Sequence, residues 1–134
     1  MKRSTGVLMA LLLVLVLALA MTALAEDLSA EQVKVLESVG VQVYPGAYYL
    51  TGDDSDAATV MWFGTKDSPD KIMDWYKGKL SGWSEITANG SRVTYKGPGG
   101  IDAKDIPTRS YIFARITDET PGSTDSEITV RILR

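Results

Sequence analysis

The chain contains no cysteine and no histidine among its 134 residues. Without cysteine there is no disulfide, no thiolate nucleophile and no thiol to carry the lipid of an exported lipoprotein, so stability must come from packing. Without histidine the usual general base near neutral pH is missing. That excludes Ser-His-Asp and Cys-His arrangements and the common His or Cys sites for zinc, copper and haem. No cofactor is expected. What stays open is carboxylate chemistry, a Ser-Lys pair, or a hard cation held by oxygens. Basic runs are lacking too. With Lys+Arg 14 against Asp+Glu 17 and no cluster of cations along the chain, phosphate backbones and anionic membrane surfaces are repelled, and nucleic acid is not an expected partner. Internal repeats, low-complexity segments and a second linker are also absent.

What is present begins at the start of the chain. Met1-Lys2-Arg3 runs into an apolar stretch from Val7 to Met21, then into Ala23-Leu24-Ala25 and the acidic pair Glu26-Asp27. A charged start, an apolar run and small residues at its end are the parts of a secretory signal peptide. Cleavage is expected between Ala25 and Glu26. An uncleaved anchor is the competing reading, since Val7 to Ala25 approaches spanning length, but the Ala-x-Ala ending favours removal. Removing 25 of 134 residues leaves 109, enough for one domain with a core and too few for two. With Lys2 and Arg3 gone, 12 basic residues face 17 acidic ones, a net charge of −5. The expected division is a signal peptide at 1–25, a short N-terminal helix and connection at 26–46, and a single α+β domain at 47–134. The expected location is outside the cytoplasm of a bacterium, periplasmic or secreted, with no membrane span after cleavage.

Ser29-Ala30-Glu31-Gln32 has the form of a capping box, and Val33, Leu36 and Val39 recur at three-residue spacing before Gly40, which predicts a helix over about Ala30 to Ser38. Tyr44-Pro45-Gly46 is a turn. Ala47 to Leu50 and Thr59 to Thr65 read as strands flanking a polar loop, Gly52 to Asp56. Ser68, Pro69 and Asp70 open a second helix over about 69–81, with Ile72, Met73, Trp75, Tyr76 and Leu80 on one broad face. Asn89-Gly90 predicts a hairpin pairing Ile86 with Val93 and Ser84 with Tyr95. Lys96 to Thr108 is a Gly- and Pro-rich connection, expected to be the most mobile part. Two alternating strands, Arg109 to Thr117 and Glu127 to Arg134, close the chain. One register pairs Ile112 with Ile132, Ala114 with Val130 and Ile116 with Ile128, placing six apolar side chains on one face. The resulting fold class is α+β, a mainly antiparallel sheet of about six strands with one amphipathic helix packed on it, in the order α-ββ-α-ββββ.

Val43 to Ala47, Val60 to Phe63 with Thr65, Asp67-Ser68-Pro69 through Trp75-Tyr76, Leu80 and Gly82-Trp83 together form a pattern. It resembles small exported bacterial domains of unknown function that share a Tyr-Pro-Gly-Ala start, a Ser-Pro helix bearing a Trp/Phe-Tyr pair, and a Gly-Trp strand opening. The resemblance covers about Val43 to Ile86. It implies export and an α+β fold and supplies no catalytic residue, and this chain departs from lipoprotein members by lacking the anchoring cysteine.

Several residues invite a functional reading. Asp53, Asp54 and Asp56 could offer oxygens to calcium, but the spacing departs from the EF-hand pattern and no bidentate Glu follows, so a solvated loop is the simpler account. Gly97-Pro98-Gly99-Gly100 is followed by Ile101-Asp102 rather than Lys-Ser/Thr, which argues against a phosphate cradle. Asn89-Gly90-Ser91 matches a glycosylation acceptor, yet the hairpin already accounts for it. Trp75, Tyr76 and Trp83 could form an aromatic cage, though helical spacing favours core. The second sheet face, with Tyr111, Phe113, Arg115, Arg131 and Leu133, combines aromatic and Arg residues, as protein-binding surfaces do. Either this face is an interface or the N-terminal helix covers it; both readings stay open. In the register above, Tyr111 lies opposite Leu133 and Phe113 opposite Arg131. The function expected is a non-enzymatic module that binds a partner protein or another envelope component, with self-association possible. The alternatives are a carboxylate-dependent hydrolase built on two acids, and a carrier of a small apolar ligand enclosed by Tyr48, Trp62, Trp75 and Tyr111.

Overall fold

In the computed structural model, residues 27–134 are described; the expected signal peptide at 1–25 and its cleavage junction at Ala25 and Glu26 lie outside the described residues. Helix α1 spans Ala30–Ser38, and its capping box forms as the sequence requires. The Ser29 hydroxyl accepts from the Gln32 backbone N–H at 3.1 Å, while the Gln32 side chain accepts from the Ser29 N–H at 2.9 Å. Gly46, at φ +80°, turns the chain into the sheet, a conformation that costs glycine no Cβ clash. Strands β1 (Tyr48–Asp54) and β2 (Ala58–Thr65) follow. Helix α2 spans Pro69–Lys77, capped by Ser68, whose side chain accepts from Lys71. Then come β3 (Trp83–Ala88), β4 (Ser91–Lys96), a 3-10 helix (Ala103–Thr108), β5 (Tyr111–Ile116) and β6 (Ser126–Leu133).

The six strands form one antiparallel sheet in the order β1-β2-β6-β5-β4-β3, so the expected α+β architecture is the one the chain adopts. The last strand lies inside the sheet, between β2 and β5. Both helices belong to one core with the first sheet face: Leu28, Leu36 and Val41 from the N-terminal segment join Ile72, Met73 and Tyr76 from α2 over Met61, Phe63, Ile112, Ile128, Val130 and Ile132. The N-terminal helix therefore does not cover the second face. Two contacts seat it on the first, Gln32 donating to the Tyr49 hydroxyl at 3.1 Å and Arg134 reaching Glu31 at 3.0 Å, and Tyr76 at the core centre holds the segment after the helix by donating to the Gln42 carbonyl at 2.9 Å.

The fold departs from the sequence-based expectations at four places. Helix α2 stops at Lys77 rather than near 81, because Gly78 takes the cap and the N–H groups of Lys79 and Leu80 both return to the Tyr76 carbonyl. Strand β1 runs on through Gly52-Asp53-Asp54, so the loop shrinks to Ser55–Ala57. The β5–β6 register is Ile112 with Val130 and Ala114 with Ile128, two residues away from the expected pairing. An even slip leaves every side chain on its expected face. It also sets Arg115 opposite Glu127, at 3.1 Å, and lets Thr117 N–H reach the Asp125 carbonyl at 3.0 Å, which extends the ladder. Tyr111 is thus opposite Arg131 and Phe113 opposite Thr129, and Ile116 falls at the sheet end, 51% exposed. Finally, the Gly-rich connection is tied down. Ser84 donates to the Gly97 carbonyl at 2.7 Å, Tyr95 to the Pro98 carbonyl at 3.2 Å, and Ile106 buries its side chain beneath the 3-10 helix.

Candidate functional site

The second sheet face is built from three cross-strand rows that follow from the pairing of neighbouring strands. One row reads Thr51, Trp62, Thr129, Phe113, Val93, Ile86; the next reads Asp53, Val60, Arg131, Tyr111, Tyr95, Ser84. A shorter third row holds Tyr48, Gly64, Glu127 and Arg115. Period-two alternation puts these residues opposite the core, and aromatic or β-branched side chains dominate the two long rows. Trp62, Val60, Tyr111, Phe113, Ile86 and Leu133 are all only half-buried. Tyr48, 57% exposed, lays its ring across Gly64, where a Cβ would stand 2.5 Å from the ring.

At the β3–β4–β5 end the 3-10 helix rises over this face and leaves a groove of about 490 Å³. Val93, Tyr111 and Phe113 line it from the sheet, Ile106 and Pro107 from the 3-10 helix, and Ala88, Asn89 and Ser91 from the hairpin, with Lys104 the one charged side chain. A volume of this size falls in the range of pockets that take a small ligand or one bulky side chain. Arg131 holds the 3-10 helix in place. Its guanidinium donates to the carbonyls of Pro107 at 2.8 Å and Arg109 at 3.2 Å and stacks 5.5 Å from the centre of the Tyr111 ring. Tyr111 in turn tilts against Phe113 at 6.0 Å.

All five residues expected to form an interaction surface, Tyr111, Phe113, Arg115, Arg131 and Leu133, share this face. Their roles differ. Phe113 and Tyr111 line the groove, Arg131 is a strut beneath it, and Arg115 is drawn to Glu127. Trp62, expected from sequence only as a wall of an enclosed ligand pocket, and Val60, not expected at a site, join this face, and their alternation with Met61 and Phe63 is the signal for it. Sequence reading missed Ile106 and Pro107, whose apolar character inside a glycine-rich connection was the available sign of a packed segment.

The remaining candidates disperse. Asp53 and Asp54 sit in a strand and point to opposite faces; Asp54 accepts from Thr59 at 2.9 Å and pairs with Arg134. Asp56 stays in the turn, and no group of three or more His, Cys, Asp or Glu that could hold a metal occurs among the described residues. Trp75 and Tyr76 pack edge-on with each other at 4.9 Å, and Trp75 meets Tyr44 at 5.5 Å, so this aromatic group belongs to the core side. Trp75 therefore lies across the sheet from Tyr48, Trp62 and Tyr111, and the enclosed pocket expected from those four side chains does not form. Several acids are engaged by other side chains: Arg92 binds Glu85 at 2.5 Å and Asp74 at 2.8 Å, which raises its own pKa, and Asp67 accepts from the Tyr44 hydroxyl at 2.5 Å. Burial, and then the Asp67 hydrogen bond, push the Tyr44 hydroxyl up to about 12, while the same bond lowers Asp67. Asp118 is lowered as well, by its bond with Thr120. A general acid working near neutral pH needs the opposite shift, and no carboxylate lines the groove.

Comparison with protein-family models, with curated proteins and with solved structures finds no match for this chain.

Proposed function

We propose that this chain is an exported, non-enzymatic bacterial domain that binds a partner protein through its second sheet face, with one apolar side chain of the partner seated in the groove between β4, β5 and the 3-10 helix. The observation that carries this reading is the groove itself: an aromatic and aliphatic lining without a carboxylate, continuous with half-buried Trp62, Val60 and Leu133 on the face that neither helix covers. Such surfaces, apolar at the centre with Arg and Tyr close by, concentrate binding energy in a few residues. Export is supported by the charged start, apolar run and Ala-x-Ala ending of residues 1–25, and by the resemblance to small exported domains.

The test compares native protein with Phe113→Ser/Leu133→Ser and with a control, Lys34→Ser, on exposed α1. Each is expressed with its own leader and captured from the envelope fraction. Native protein and control should begin at Glu26 and retain the same partner, and the double variant should keep its circular dichroism spectrum and lose that partner. Light scattering of the purified proteins identifies the case in which the partner is a second copy. A folded double variant that retains every partner ends this proposal, and a native protein that takes up a small apolar dye and no protein replaces it with a ligand carrier.

A further inference from the structure

Asn89 is the only asparagine in the chain, and Gly90 follows it. The two residues are the turn of the β3–β4 hairpin, at φ 53° and φ 79°, and both are exposed. They satisfy the left-handed requirement of a two-residue hairpin loop, which is why they stand there. Gly90 carries no Cβ beside the Asn89 side chain, and the space where one would stand is open, with nothing beyond its chain neighbours within 4 Å. Asparagine is a thermolabile residue, and a following glycine removes the main obstacle to attack on its side chain.

We propose that Asn89 is a site of spontaneous deamidation that writes a negative charge onto the rim of the groove as the protein ages. The Gly90 backbone nitrogen gives up its proton to hydroxide and attacks the Asn89 side-chain carbon. The new N–C bond forms as the bond to Nδ2 breaks, and the departing nitrogen takes a proton from water and leaves as ammonia. Water then opens the cyclic imide at either carbonyl, giving aspartate or isoaspartate. One water enters and one ammonia leaves, with no oxidant or reductant. The left-handed turn does not present the nitrogen to the carboxamide, so the turn must first open. The cost of opening is local, because the last pair of the hairpin, Ala88 with Ser91, borders the turn, and β3 is the edge strand of the sheet.

The consequence reaches the binding surface. Asn89 and Lys104 both line the groove, so aspartate sets an anion among walls whose one charge is a cation. Isoaspartate also adds a carbon to the main chain inside a two-residue loop, which no longer matches the twist of the flanking strands.

The full native chain is incubated in mildly alkaline buffer beside a free peptide of residues Thr87 to Arg92, and both are followed by peptide mapping with isoaspartate detection. The folded protein should convert no more than about a hundredfold more slowly than the peptide, the slowing imposed by a local opening of about 2.7 kcal/mol. Asn89→Gly, which preserves the turn, should yield no acidic species. Retention of the amide beyond that limit while the peptide converts overturns the proposal, as does an acidic species of equal yield from Asn89→Gly.

Discussion

Tyr44 and Asp67 show how a single hydrogen bond can set the pH range of a fold. Tyr44 is buried with its ring against Trp75 and Tyr76, its hydroxyl donates to Asp67 Oδ2 at 2.5 Å, and Lys71 approaches the other oxygen of that carboxylate at 3.4 Å. The bond requires a protonated tyrosine and an ionised aspartate. Asp67 is held below the ordinary carboxylate value, so its contribution is present above the unfolded pKa of about 3.9 and is lost as pH falls through the lower folded value. Tyr44 is raised from 10.0 to about 12, so its contribution is present below 10 and is lost as pH rises toward 12. Urea melts should therefore give a stability plateau with an acid shoulder and an alkaline shoulder. Asp67→Asn should remove the acid shoulder, and Tyr44→Phe should flatten both. Unchanged acid and alkaline limbs in Tyr44→Phe would show that other groups set the limits.

For the strands, faces and register differ in how readable they are. Ile112 is fully buried in the first face and Ile116, four residues on, is 51% exposed beyond the last buried pair. Ile112→Ala should cost about 2 to 5 kcal/mol in a denaturant melt, whereas Ile116→Ala should stay within about 0.5 kcal/mol, as surface positions do. Equal losses at the two sites would restore the pairing of Ile116 with Ile128 expected from sequence. Period-two alternation identified the two faces of β5 and β6 because a face depends only on parity, and a slip of two residues preserves parity. The register itself is decided by groups far apart in sequence, including the bond from Thr124 Oγ1 to the Lys66 carbonyl at 2.5 Å, which no local pattern reveals. The same division holds elsewhere. Local signals placed α1, its capping box and the Asn89-Gly90 turn correctly, since cap and turn chemistry act within a few residues. The 3-10 helix escaped notice because it is held by Arg131 on β6, as Gly97 and Pro98 ahead of it are held by Ser84 and Tyr95, all on other elements. Of the candidate site, the five residues of β5 and β6 were legible, and the wall formed by Ile106 and Pro107 was not.

Across the whole molecule, strand order makes the end of the sequence the keystone of the sheet. β6 pairs with β2 through eight residues, from Ala58 with Leu133 to Thr65 with Ser126, and with β5 through six, from Tyr111 with Arg131 to Ile116 with Ser126. Without it the sheet falls into two pieces, β1-β2 and β5-β4-β3, and a lone hairpin is marginal in water. Three of the core side chains, Ile128, Val130 and Ile132, leave with it. Arg134 adds a clasp from the end of β6 to Asp54 on β1 and Glu31 on α1, so the two ends of the described chain are joined through this strand. Helix α1, by contrast, covers only one end of the first face and contributes Leu36 as its one fully buried residue. Truncation after Asp125 should thus abolish the cooperative thermal transition altogether, while deletion of residues 27–38 should leave a transition at lower temperature with the sheet signal intact. Circular dichroism melts of the two truncations decide the matter: a cooperative transition in the chain lacking β6 would mean that the other five strands form a stable sheet without their central member.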